Sequence, residues 1–69
     1  MNKFTNLQED LLRNDGFKQT PTGTFIRTCL GTSQEVSKPK RSMVLVINED
    51  VVVTTTNYKK LIKAADFVY

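Results

Sequence analysis

Few side chains in this sequence could carry chemistry. The chain has no histidine and a single cysteine, Cys29, so acid–base catalysis near neutral pH would need a perturbed carboxylate, lysine or thiol. Glu49 and Asp50 are adjacent in a predicted turn, where carboxylates are usually solvated. Cys29 lies inside a strand pattern, which is typical of a small buried residue. We therefore expect that the protein is not an enzyme.

The residue types also argue against metals and cofactors. One cysteine forms no intramolecular disulfide, and without histidine a Cys/His metal site cannot be built. Gly16, Gly23 and Gly31 are isolated from one another, unlike the glycines of a phosphate-binding loop. We expect no cofactor and no bound metal. Self-association then remains as a means of supplementing a small core, so a homodimer stays open.

The length of 69 residues predicts one domain, spanning residues 1–69. Its longest apolar run covers residues 43–47, whereas a membrane helix needs about 20 residues. Residues 1–9 lack the apolar run of a secretory signal, and a free thiol suits a reducing compartment. We expect a cytoplasmic protein, in the host cytoplasm if it is viral, without membrane association.

The first predicted helix covers about residues 6–14. Thr5 and Gln8 have the spacing of a capping box at its start. Gly16 can adopt the left-handed conformation that ends a helix and returns Phe17 to it. The expected apolar face consists of Phe4, Leu7, Leu11 and Leu12.

A second helix is predicted at the end of the sequence, with Thr56 as its N-cap. Its expected apolar face consists of Tyr58, Leu61, Ile62, Ala65 and Tyr69. The lysines of this segment project to the opposite side.

A turn at Pro21-Thr22-Gly23 predicts a hairpin between residues 18–20 and 24–30. Arg27, the one charged residue of the second strand, is expected on its wet face or in a local pair. Residues 31–41 have no periodicity and are expected to form an exposed connection.

A second hairpin is predicted from residues 42–47 and 51–54, with the reversal at Asn48-Glu49-Asp50. The elements together predict a small two-layer α+β fold. It contains an antiparallel β-meander of three to four strands flanked by N- and C-terminal helices, in the order α-β-β-β-β-α.

The second hairpin does not alternate apolar with polar residues, although a strand with one solvated face should. One interpretation is an apolar interface formed by Val44, Val46 and Val52. The alternative is that these valines are half-exposed without a partner.

The net charge of +3 arises entirely from residue 38 onward, where six basic residues face three acidic ones. This distribution predicts a basic surface able to meet phosphates or an acidic protein surface. The alternative is an ordinary solvated lysine face. The candidate partner-binding residues are Lys38, Lys40, Arg41, Lys59, Lys60 and Lys63.

The segment from Leu11 to Phe17, followed by Gly23-Thr24-Phe25 and a lysine-bearing last helix, resembles the layout of HicA-type toxins. These are small ribonucleases with a double-stranded-RNA-binding-like fold. In that family the catalytic histidine directly follows the Gly-Ser/Thr pair, where this chain has Phe25. The resemblance implies an RNA- or DNA-binding module without the ribonuclease chemistry, which would grip the backbone of double-stranded RNA.

These observations favour a small non-catalytic binding protein with a protein partner. We expect an accessory or inhibitor of the type that phages and mobile elements encode, which engages a host protein stoichiometrically. The viral setting follows from this type of protein and from no individual residue. Nucleic-acid binding is the alternative.

Overall fold

The chain folds as a helix, an antiparallel sheet and a second helix, which confirms the expected α+β class. The computed structural model describes residues 3–29 and 31–67. Five strands form a meander in which each strand pairs with its neighbours in the sequence. The elements are α1 (Asn6–Asn14), β1 (Lys18–Gln19), β2 (Phe25–Cys29), β3 (Thr32–Ser37), β4 (Met43–Ile47), β5 (Asp50–Thr55) and α2 (Tyr58–Phe67).

Helix α1 begins and ends as the sequence predicts. The Gln8 N–H donates to Thr5 Oγ1 at 3.1 Å and the Thr5 N–H donates to Gln8 Oε1 at 2.9 Å, which completes the capping box. At the other end Gly16 has a φ of +94°, and the Phe17 N–H donates to the carbonyl of Leu12 at 3.0 Å. This stop returns Phe17 to the core beside Leu12.

Leu7 does not belong to the buried face of α1, although the sequence predicts that it does. Its side chain is 68% exposed, whereas Leu12 is fully buried. Five residues separate the two leucines, which places them about 140° apart around a helix of 3.6 residues per turn. Only one of them can therefore face the sheet.

Strands β1 and β2 form the first predicted hairpin. β1 has only two residues and pairs with residues 25–26 of β2. The turn is closed by the Thr20 N–H, which donates to the carbonyl of Thr24 at 2.8 Å. Leu30, which the sequence places in the second strand, lies outside the described residues.

Strand β3 occupies a segment that the sequence predicts to be an exposed connection. Residues 32–37 pair with β2 on one side and β4 on the other, so the loop prediction is wrong for this segment. Gln34 and Val36 are buried, whereas Ser33 and Glu35 are exposed. Buried and exposed residues alternate along β3, as in any strand with one covered face. The sequence does not show this alternation, because one of the buried residues is Gln34 and glutamine is rarely a core residue.

Strands β4 and β5 form the second predicted hairpin, and β5 lies at the edge of the sheet. Asn48 and Glu49 have φ values of +49° and +74°, as both central positions of a type I′ turn require. A shift in pairing between Leu45 and Val46 leaves Val52 as the extra residue of a β-bulge.

The N-cap of α2 is Asn57 rather than the predicted Thr56. The Asn57 side-chain oxygen accepts from the Lys59 N–H at 2.9 Å. The Asn57 N–H in turn donates to Thr55 Oγ1 at 3.0 Å, which holds the cap residue in place. Asparagine is at least as favourable as threonine at this position. The predicted apolar contact of Tyr69 lies outside the described residues.

The core lies between the two helices and one face of the sheet, here called the inner face. Phe25, Val36 and Leu45 are cross-strand neighbours on this face, and each is fully buried. Leu12 of α1 and Leu61 of α2 belong to the same apolar cluster. Both helices therefore cover the inner face, and no helix or strand among residues 3–29 and 31–67 covers the opposite face, here called the outer face.

Candidate binding surfaces

The outer face carries β-branched side chains at the surface. Ile26, Glu35, Val46 and Val51 lie next to one another on β2, β3, β4 and β5. Ile26 is 39% exposed and Val51 is 66% exposed, while Val46 is half-buried by its neighbours. This row, here called the apolar strip, crosses the sheet with one carboxylate between Ile26 and the two valines.

The valines selected from the sequence fall on this side of the sheet or at its edge. Val44 and Val46 alternate with the buried residues of β4, so both project from the outer face. Val52 is 48% exposed at the bulge of β5. Sequence reasoning missed Ile26 and Val51. Ile26 could have been found from its place next to Phe25, because consecutive strand residues face opposite sides.

The basic residues divide into two groups in the structure. Lys38 is 8% exposed and its ammonium donates to Gln8 Oε1 at 3.0 Å, so it is removed from the exposed set. Met43 pairs with Thr55, which brings the connection before β4 to the same end of the sheet as the start of α2. The other five candidate basic residues, Lys40, Arg41, Lys59, Lys60 and Lys63, are exposed.

Arg27 lies buried on the inner face, so the wet-face alternative is wrong, and it pairs with its cross-strand neighbour Gln34, as the local-pair alternative predicts. Its guanidinium donates to Gln34 Oε1 from Nε at 2.9 Å and from Nη2 at 2.7 Å. Nη1 donates to the carbonyl of Asp15 at 2.8 Å, and Nη2 lies 3.3 Å from the Asp66 carboxylate. The guanidinium also stacks 4.5 Å from the centre of the Phe17 ring. Acceptors on β3, on α2 and on the loop after α1 thus match the buried charge.

Gln34 extends this network to the second helix. Its side-chain nitrogen donates to the carbonyl of Ala65 at 2.9 Å, while its oxygen accepts from Arg27. Gln34 is fully buried, and its amide is satisfied at both atoms. Arg27 and Gln34 therefore take the place of apolar side chains where β2, β3 and α2 meet.

Tyr58 connects the two helices. Its hydroxyl donates to the Asp15 carboxylate and also lies 3.1 Å from the carbonyl oxygen of Leu11. Burial raises the pKa of Tyr58 above its ordinary value, and the hydrogen bond to Asp15 raises that pKa further. The neutral phenol is the form that this contact requires.

The remaining residues considered for chemistry are dispersed. Glu49 and Asp50 are exposed at the β4–β5 turn, and the side chain of Cys29 lies outside the described part of the structure. Within residues 3–29 and 31–67, no three histidine, cysteine or acidic side chains gather as metal ligands. No helix in these ranges has the length and apolar character to cross a membrane.

Comparisons of the chain with protein-family models, curated proteins and solved structures find no match. The likeness to HicA-type toxins thus stays a prediction. At the position of that family's catalytic histidine, Phe25 is fully buried and contacts Phe4 edge to face, with ring centres 5.1 Å apart. This position serves the core.

Proposed function

We propose that this protein is a non-catalytic binding protein that engages another protein stoichiometrically through the outer face of its sheet. The setting proposed is that of a phage or mobile-element accessory protein or inhibitor acting on a host protein in the cytoplasm. The observation that supports the proposal is the open apolar strip formed by Ile26, Val46 and Val51. Exposed apolar residues that are contiguous are typical of protein interaction sites.

The chemistry of the strip favours a protein over a nucleic acid. Glu35 lies in the middle of the strip, between Ile26 and Val46, and accepts a hydrogen bond from Thr24 Oγ1 at 3.4 Å. A carboxylate at this position repels phosphate, whereas it can pair with an arginine or lysine at the centre of a protein interface. The exposed Lys18 of β1 ends the same row beside Ile26, so the strip fits an apolar partner surface with a basic residue opposite Glu35 and an acidic one near Lys18.

The test is a pull-down from lysate of the source cells, with and without nuclease, using the tagged protein and two variants. Val46→Lys places a charge in the strip, and Leu7→Lys places the same charge on an exposed leucine of α1, away from the sheet. We expect one protein to be captured at an equimolar ratio despite nuclease, to be lost with Val46→Lys and to be retained with Leu7→Lys. Circular dichroism checks that both variants are folded. Equal capture by both variants would exclude the outer face as the binding site.

A second candidate function is nucleic-acid binding, which the clustering of exposed basic residues at one end of the sheet favours. Lys40 and Arg41 precede β4, and Lys59 and Lys60 follow β5 at that same end. If this surface binds phosphates, affinity for a generic RNA or DNA duplex falls steeply with salt because counterions are released. Replacement of Lys40, Arg41 and Lys63 by glutamate then abolishes binding. Nucleic acid that elutes with salt in the pull-down, and that vanishes after nuclease, would favour this candidate over the first.

A further inference from the structure

Strand β5 forms one long edge of the sheet. It pairs with β4 on one side, and no described residue pairs with it as a strand on the other. The opposite edge of the sheet is β1, which is only two residues long. Natural sheets protect long edges with charges, proline, bulges or very short strands; β5 has a bulge at Val52 and a charge at its first residue, Asp50, while residues 51–55 contain neither charge nor proline. Val51 is 66% exposed and Val52 is 48% exposed.

Charges flank this uncharged strand with opposite signs. The exposed carboxylates of Glu49 and Asp50 lie at its start, and the exposed ammonium groups of Lys59 and Lys60 follow its end. A strand of this length separates the two groups by about 17–20 Å. That separation exceeds the screening length of about 8 Å at physiological salt, so the two groups barely attract each other within one chain.

We propose that a second copy of this chain pairs antiparallel with β5, so that two five-stranded sheets join into one. Antiparallel pairing about a two-fold axis near Val53 places the start of each β5 beside the end of the other. The acidic pair of one copy then meets the basic pair of its partner, twice in each dimer. Parallel pairing would instead bring like charges together. The second copy is thus the occupant that the charge pattern selects.

The dimer also meets a physical need of a chain this small. Edge pairing satisfies main-chain N–H and C=O groups of β5, and with the axis near Val53 it places the exposed Val51 and Val52 beside the threonines at the end of the partner's β5. A core of this size contributes little stability alone, so added burial at the edge is useful. The outer face stays exposed in this dimer, because the two copies contact each other along the edge of the sheet. This inference and the proposed function can therefore fail independently.

The experiment uses two charge-reversed variants and light scattering coupled to size-exclusion chromatography. In Glu49→Lys/Asp50→Lys both ends of β5 are basic, and in Lys59→Glu/Lys60→Glu both ends are acidic. We expect wild type to have twice the mass of one chain, and each variant alone to have a dissociation constant raised at least about ten-fold. An equimolar mixture of the two variants restores the dimer, because each acidic end again meets a basic one. Added salt weakens the mixed dimer.

Folding is controlled within the same set of proteins. Glutamates at positions 59 and 60 lie in the first turn of α2, where negative charge favours the helix dipole, so loss of the dimer in that variant does not reflect a weakened helix. Val46→Lys retains the dimer if β5 is the contact and becomes a monomer if the outer faces pack together. A monomeric wild type, dimers in both separate variants, or failure of the mixture to associate would each overturn the proposal.

Discussion

The most informative perturbation concerns the buried pair Arg27 and Gln34. Arg27→Met removes the guanidinium but keeps a flexible side chain of moderate volume. Gln34 Oε1 then loses its two donors, at 2.9 and 2.7 Å, while remaining fully buried. A double variant, Arg27→Met/Gln34→Leu, removes the charge and the stranded amide together.

The magnitude follows from the contacts. An unsatisfied buried acceptor costs about 1–3 kcal/mol, and the stacking of the guanidinium on Phe17 contributes about 0.5–2 kcal/mol. The pair with Asp66 adds little, because that side chain is 61% exposed. Relief from burying a charge offsets part of this loss, so we expect Arg27→Met to destabilise the fold by about 2–4 kcal/mol. Proteins of this length have about 3–10 kcal/mol in total.

Gln34→Leu leaves the guanidinium buried without its main acceptor and costs a similar amount. In the double variant the Ala65 and Asp15 carbonyls lose a donor, as does the largely exposed Asp66 carboxylate. We therefore expect the double variant to be more stable than the sum of the single effects predicts, with a coupling free energy of about 1–3 kcal/mol.

Urea denaturation followed by circular dichroism measures all four corners of this cycle. With a slope of about 1 kcal/mol per molar urea, the coupling corresponds to a midpoint difference of roughly 1–3 M. If Arg27→Met fails to fold while the double variant folds, the coupling is demonstrated directly. Additive effects within about 0.5 kcal/mol would refute the reasoning, because they would mean that the two side chains do not depend on each other.

Two further predictions concern single positions. A Cβ at Gly16 would lie 3.6 Å from Arg27 Cδ, which is an ordinary contact. Gly16→Ala should therefore lower the free energy of unfolding only by the backbone cost of a φ of +94°, about 1–2 kcal/mol. A decrease of more than twice that amount in urea denaturation would contradict this prediction. The raised pKa of Tyr58 means that its contribution to stability is present below about pH 10 and is lost at higher pH. In a Tyr69→Phe background, tyrosinate absorbance should therefore appear at a higher pH than in a model peptide. Tyr58→Phe should remove the part of the alkaline destabilisation that comes from Tyr58. Coincident titration of protein and peptide would show that Tyr58 is not held by Asp15.

The helix and turn signals were readable from the sequence because they are local. The capping box of Thr5 and Gln8 and the stop at Gly16 each depend on residues within a few positions of one another. The β4–β5 reversal was also predicted, although a type I′ turn with a glutamate at positive φ is less obvious than Asn-Gly.

The two largest errors lie in one network. The sequence predicts Arg27 on the wet face or in a local pair and predicts β3 as a loop; the wet-face and loop predictions fail because polar residues occupy core positions that are apolar in most strands. An arginine and a glutamine that hydrogen-bond to each other in the core leave no apolar periodicity in the sequence, because neither residue type indicates burial by itself. Of the candidate surfaces, Val44 and Val46 were placed from the pattern of β4, whereas the edge exposed at β5 depends on strand order.

The meander order has a consequence for the rate of folding. Every strand pairs only with strands adjacent to it in the sequence, so each hairpin closes a short loop and the sheet can grow by one strand at a time. The contacts between distant parts of the chain, such as Tyr58 with Leu11 and Arg27 with Asp66, join the last helix to the first half of the chain. Such a chain should fold rapidly, with the docking of α2 as a late event. Substitutions that remove only contacts to α2, such as Tyr58→Phe, should then accelerate unfolding far more than they slow folding.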